Sequence, residues 1–211
     1  MEWLCAFLVA YPDSGQESHP ERVAAGFGGN PELITELDIR ALKRLTDARW
    51  IKDETARALM DARAVQAALA TERMPCGWDI ITLDDTEWNA ATDAVRELIV
   101  RLTEIDGVRV PLATKTAYLK RPCLIPICDS FILDRLVGPR RDDIDAAICA
   151  IEVVRRVGRQ YAALLNDVAE HLRTHLPEPN AYRTMTRSRI LDAVLWIHER
   201  ARRGGYGNLL S

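Results

Sequence analysis

The sequence predicts an all-α fold, a single compact domain of roughly eight to ten helices. Three observations lead there. Apolar residues recur at helical spacing in segment after segment. Strand signals are weak, with almost no period-2 alternation and few β-branched runs. No linker of adequate length divides the 211 residues, which are enough to bury a real core, so residues 1–211 are read as one domain.

The elements follow in chain order. MEWLCAFLVAY is apolar, carries no basic n-region and is too short to span a bilayer, so it reads as a short buried helix or strand. Residues 12–31 are rich in Gly, Pro and Ser and read as a loop. Thr35 or Asp38 caps a helix with Ile39, Leu42 and Leu45 on one face. Asp53 opens a second helix, with Ala56, Leu59, Met60, Val65 and Leu69 periodic through Thr71. Arg73–Asp79 is a loop, and Ile80–Leu83 reads as extended. Asp84 or Asp85 caps a helix from Thr86 to Glu104, apolar at Trp88, Ala91, Val95, Leu98, Ile99 and Leu102.

Asp106-Gly107 signals a turn. Pro111 suits the first turn of a short helix ending near Leu119. Asp129–Val137 is another short helix, stopped by Gly138-Pro139. Asp142 or Asp143 caps a long periodic stretch from Ile144 to Leu172, in which Gly158 marks a kink or a split. Pro177 and Pro179 end it. Thr184 or Thr186 starts a last helix through Ile190, Leu191, Val194, Leu195 and Ile197, and the tail over 204–211 reads as flexible.

The net charge of −3 is unevenly spread. Residues 1–110 carry net −8, 111–141 net +4, 142–180 net −3 and 181–211 net +4. Two basic islands on an acidic body attract polyanions, but the chain is not the uniformly basic kind that binds nucleic acid by charge alone. The five cysteines are scattered without a CxxC or metal-type pairing, which points to reduced thiols and a cytoplasmic location. No membrane association and no cofactor are expected.

The most informative stretch is PLATKTAYLKRPCLIPICDSF, residues 111–131, with three basic residues, three prolines and one acid. Lys115 lies on the short helix, Lys120 and Arg121 close it, Pro122 and Pro126 stiffen a connector, and Asp129 opens the next helix. A connector this stiff aims one carboxylate at a set place relative to one ammonium. Two readings stay open for Asp129: a catalytic carboxylate, or the N-cap of its helix. Lys115 is a phosphate contact or a solvated ion-pair partner.

Other candidates are weaker. His171 and His175 share a helix face at i, i+4, but the HExxH order is absent and a solvated helix end explains them, so no metal site is expected. Arg183, Arg187, Arg189, Arg200, Arg202 and Arg203, with Tyr182 and Tyr206, either grip phosphate or answer a helix C-terminal dipole. Trp78 is a candidate cleft wall. Cys123 and Cys128 read as small core residues.

The string ATKTAYLKRPCLIPICDS resembles the signature ATK-L-H-LKRP-L-IP--DS of an uncharacterised bacterial domain family, over about residues 30–140. Residues Ala113, Thr114, Lys115, Leu119, Lys120, Arg121, Pro122, Leu124, Ile125, Pro126, Asp129 and Ser130 match. Tyr118 departs, where relatives tend to have His. That resemblance brings no activity with it.

More distantly, the order of parts resembles helix–hairpin–helix DNA glycosylases: a glycine turn at Asp106-Gly107-Val108, a short helix, a proline connector, then Asp129 opening a helix 22 positions after Gly107. The likeness implies hairpin N–H groups on phosphate and an Asp that supports attack at a glycosidic carbon. Arg109 stands where a second hairpin glycine would be, and Pro111 where bifunctional enzymes carry their lysine. A monofunctional or inactive relative is therefore the better fit. The resulting expectation is a nucleic-acid-binding protein with DNA as partner, Asp129 catalytic, and Lys115, Lys120, Arg121, Gly107 and Arg109 on phosphate. The alternative is a non-enzymatic helical module that binds a protein partner or self-associates.

Overall fold

Nine helices run through the described residues: α1 (Glu36–Leu45), α2 (Asp53–Asp61), α3 (Arg63–Leu69), α4 (Asp85–Thr103), α5 (Val110–Lys120), α6 (Ser130–Val137), α7 (Ile144–Gln160), α8 (Ala162–His175) and α9 (Arg187–Arg202). They belong to a computed structural model that describes residues 30–45, 51–138, 143–176, 183 and 185–202, without the side chains of 131 and 196–202. No strand occurs among those residues. The expectations placed on the N-terminal apolar run, most of the 12–31 loop, Asp142, Pro177, Pro179, Thr184 and the 204–211 tail fall outside them.

Several starts obey the capping rules. Thr35, not Asp38, caps α1: its hydroxyl accepts from the Asp38 N–H, and its own N–H donates to Asp38 Oδ2 at 2.7 Å. Asp84 and Glu87 make the reciprocal pair at α4. Asp143 accepts from the N–H groups of Asp145 and Ala146 at α7. Thr186 accepts from the Arg189 N–H at α9.

Three expectations are corrected. The helix expected from Asp53 to Thr71 breaks at Ala62, whose ψ of 86° leaves the helical region, while the Gln66 side chain donates to the Met60 carbonyl at 2.8 Å. Ile80–Leu83 is not extended. Asp79 winds it into turns by accepting from the Ile81 N–H on its side chain and from the Thr82 and Leu83 N–H groups on its carbonyl. The long C-terminal pattern splits at Tyr161, not at Gly158. Gly158 stays helical, and because a Cβ there would meet Ile81 Cγ1 at 2.8 Å, the missing side chain lets the 79–83 turn lie against α7.

The core is continuous through the described helices. Its middle is α5, buried nearly all round at Val110, Leu112, Ala113, Thr114, Thr116, Ala117, Tyr118 and Lys120. Only the stripe of Pro111, Lys115 and Leu119 is partly exposed, so the helix is covered on its other sides. Helices α1, α4 and α7 pack on it, and α6 and α9 pack on each other and on α7. The motif read from the sequence therefore sits in the middle of the fold.

Candidate functional site

The site begins at the turn between α4 and α5. Gly107 has φ +81°, and a Cβ there would meet Thr55 Oγ1 at 2.7 Å. The Thr55 hydroxyl donates to the Asp106 carbonyl at 3.2 Å, which ties the turn to α2. Gly107 and Arg109 are exposed at this tip, and α5 starts with Val110 and Pro111, whose missing N–H is no loss there.

The other end of α5 is internal. Lys120 is 5% exposed, and its ammonium pairs with the Asp38 carboxylate and donates to the Asn30 carbonyl at 3.2 Å. Arg121 is 2% exposed. Its guanidinium donates to four carbonyls: Met74 at 2.7 Å, Pro31 at 2.8 Å, Lys120 at 2.9 Å, and Leu69. Burial holds this guanidinium below its ordinary pKa, but five fixed donors suit a cation that gathers loop carbonyls. The expectation that Lys120 and Arg121 contact phosphate does not match this placement. Both cations are turned inward and their donors are spent on the protein itself.

The connector after α5 is pinned from three sides. Arg121 accepts on its carbonyl from the Leu124 and Ile125 N–H groups. The Ser188 hydroxyl donates to the Pro122 carbonyl at 3.2 Å. The Ile127 N–H donates to Asp192 Oδ2 at 3.1 Å, and the Thr114 hydroxyl donates to the Cys128 carbonyl at 3.1 Å. Asp129 follows directly and caps α6, accepting from the Ile132 N–H at 3.1 Å. Thus Thr114 fixes one end of the connector to the helix turn that carries Lys115.

Lys115 is the odd cation of the motif. It is partly buried, and among the described residues its ammonium makes one hydrogen bond, a long 3.4 Å reach to the Leu45 carbonyl. Burial pushes its pKa below 10.5, the Asp129 charge opposes that shift, and the Arg189 charge adds to it. Lys115, Asp129 and Arg189 therefore share one electrostatic neighbourhood. Arg189 is in turn paired with Asp192, both buried. A desolvated ammonium beside a carboxylate can hold an anion or take part in proton transfer.

The remaining candidates are placed as follows. Arg187 grips Asp79 Oδ2 with Nε at 3.2 Å and Nη2 at 2.8 Å, and reaches Asn166. Of the C-terminal basic cluster, Arg187 and Arg189 are thus engaged within the fold. Tyr182, Arg203 and Tyr206 lie outside the described residues, as do the side chains of Arg200 and Arg202. His171 and His175 stack with ring centroids 4.0 Å apart. Among the described residues no group of three or more His, Cys, Asp or Glu is placed to hold a metal. Cys128 is fully buried and Cys123 partly so, and burial raises both thiol pKa values above the ordinary range. Trp78 packs half-buried against the core. Tyr118 is 3% exposed, so the phenol at the departure from the signature is an interior group.

Two buried ion pairs, Lys120–Asp38 and Arg189–Asp192, were missed in the sequence. Asp38 lies on the buried stripe of α1 with Ile39 and Leu42, and an acid on an apolar stripe implies a buried cation facing it. Arg189 and Asp192, at i, i+3 around Ile190 and Leu191, carry the same signal. No helix among the described residues is long and apolar enough to cross a membrane.

Residues 11–199 match the family of unknown function DUF6308, and the chain belongs to that family. The resemblance to an uncharacterised domain family is borne out at that level. No curated protein and no solved structure matches the chain.

Proposed function

We propose that this chain is a helical nucleic-acid-binding protein whose site is the corner between α5 and α6. Asp129 is its acid and Lys115 the cation beside it. The exposed α4–α5 turn, with Gly107 and Arg109, meets backbone phosphate, and Lys115 meets a phosphate nearer the acid. Lys120 and Arg121 build the corner from behind and have no contact with ligand. The organisation resembles helix–hairpin–helix DNA glycosylases in the order of its parts, and the reaction class it suggests is base excision. A carboxylate in a partly desolvated place stabilises positive charge growing at the sugar carbon, or activates the water that attacks it.

The observation that carries this reading is the state of Lys115. Its ammonium is partly desolvated, has among the described residues a single long contact to a carbonyl, and lies in the field of Asp129. A buried charge is ordinarily matched by close partners, as Lys120 is. A charge left under-coordinated beside an acid is what a site for an anionic substrate requires.

The test joins binding to chemistry. Binding to duplex and single-stranded DNA is measured against salt concentration, and abasic-site formation is followed on damaged or modified DNA. The expectation is affinity that falls with salt in proportion to the phosphates engaged. Asp129→Asn, which keeps an acceptor for the Ile132 N–H, abolishes abasic-site formation while stability changes by less than about 1 kcal/mol. Salt-independent or absent DNA binding sinks the nucleic-acid reading. Product formation undiminished in Asp129→Asn removes Asp129 from it.

A further inference from the structure

A groove of about 610 Å³ lies between the first turns of α4 and the outer face of α7, and neither the site above nor the family assigns it a role. Its wall on α7 is a run of arginines, Arg155, Arg156 and Arg159, with Glu152 one turn earlier. Facing them on α4 are Asp85 and Trp88.

The arginines differ in how they are held. Arg155 is fixed. Its Nη2 donates to the Leu83 carbonyl at 3.0 Å, the Asp84 carbonyl at 3.3 Å and Asp85 Oδ1 at 2.8 Å, and its guanidinium lies over the Trp88 ring, 5.2 Å from the centroid. Arg159 shares Asp85 with it, through Nη1 at 2.9 Å. Asp85 therefore has two guanidiniums on one carboxylate oxygen, and their hydrogen bonds, then their charges, hold its pKa below the ordinary value. Arg156 is exposed in the groove and takes part in none of these pairs.

Two features point to an anion. First, three guanidiniums face two carboxylates, and Asp85 is already shared, so the groove keeps an excess of donors over acceptors. Second, Arg155 Nε is buried and has no acceptor; it is the buried side-chain polar atom left unmatched among the described residues. A native fold seldom leaves such a donor empty unless something outside the chain fills it. A tetrahedral oxyanion entering the groove would meet Arg156 and Arg159 first. It would then offer an oxygen to Arg155 as that guanidinium turns slightly on Trp88. Planar guanidinium forks suit phosphate oxygens in pairs.

We infer that the α4–α7 groove is a phosphate-group site, built by Arg156 and Arg159 at its mouth and by Arg155, held between Trp88 and Asp85, at its floor. The inference goes beyond the Asp129 site and does not depend on it. The phosphate belongs either to a nucleic-acid backbone or to a small phosphate ester, and the chemistry of recognition is the same.

The full chain is titrated calorimetrically with inorganic pyrophosphate at low salt, with tryptophan emission followed alongside. One saturable site is expected. Arg156→Gln and Arg159→Gln each weaken it about tenfold, and together about a hundredfold, with the melting temperature kept. Arg156→Lys, which keeps the charge, loses less than Arg156→Gln. No saturable signal at millimolar pyrophosphate, or equal affinity in the double variant, overturns the inference. A single-stranded oligonucleotide that displaces pyrophosphate identifies the backbone as the source, and displacement by a nucleotide alone identifies a small ester. Pyrophosphate binding without any DNA binding upholds this groove while refuting the proposed function. DNA binding and base excision without a pyrophosphate site do the reverse.

Discussion

Lys115 and Lys120 stand five residues apart on α5 and meet opposite surroundings. Lys120 is closed in by the Asp38 carboxylate and the Asn30 carbonyl, and its side chain is 3% exposed. Lys115 has, among the described residues, one long carbonyl contact, and it lies in the field of Asp129. The two residues have the same chemistry and helix, and similar sequence neighbours. What separates them is completion: one cation has its partners, and the other has room for one. Within this motif, the complete cation builds the fold and the incomplete one is the candidate for function. Arg121, with its four carbonyls, belongs with Lys120.

The sharpest way to break that contrast is to delete each ammonium in turn. Lys120→Met strands the Asp38 carboxylate, whose side chain is 2% exposed, and costs about 3–5 kcal/mol, because an unpaired buried charge is left behind. Adding Asp38→Asn recovers more than half of that loss, since the amide keeps an acceptor for the Thr35 N–H without the charge. Lys115→Met changes stability by less than about 1 kcal/mol, as the burial penalty it removes offsets the weak contacts it loses. Urea unfolding of the four proteins measures all of this. Equal losses for the two lysines erase the distinction.

The helix content, most starts and the turn at Gly107 were legible in the sequence because they rest on local chemistry. Asp84, Asp143, Thr186 and Asp129 all accept the N–H bonds their positions require. The fate of the charges was not legible, because it is settled over long separations. Lys120 meets Asp38, and Arg121 meets Leu69 and Met74, through packing that no window of sequence contains. Basic residues clustered beside prolines look like a surface from the sequence alone. Here Lys120 and Arg121 are the floor of a corner, and α5 is buried except along Pro111, Lys115 and Leu119. The split at Tyr161 was missed for the opposite reason. Gly158 carried the stronger local signal, yet its missing side chain serves the contact with Ile81 rather than a break.

A middle-sized effect sharpens the frame that sets both lysines. Gly107 fixes where α5 begins. Gly107→Ala costs about 1–2 kcal/mol for the left-handed backbone, and more where its Cβ presses on Thr55 Oγ1. The same variant weakens oligonucleotide binding if the turn meets phosphate. Thr55→Ala in that background relieves the clash but not the backbone strain, so recovery is partial in thermal melts. Full recovery would place the whole cost in the contact and none in the turn.

The smallest effect is the most specific to Lys115. Burial holds its folded pKa below 10.5, its ordinary value. Between those two values the unfolded chain binds more protons than the folded one, so stability rises with pH across that window. Below it the charged lysine is buried at a penalty, and above it the penalty is gone from both states. Lys115→Met removes this rise, and the difference between the two proteins cancels the titration of other groups. Asp129→Asn takes away the opposing charge, lowers the Lys115 pKa further and widens the window toward neutral pH. Unfolding free energies of the three proteins, measured from neutral pH up to 10.5, read the slope directly. Parallel curves for wild type and Lys115→Met would mean the ammonium is effectively solvated, and the contrast with Lys120 would then lose its electrostatic basis.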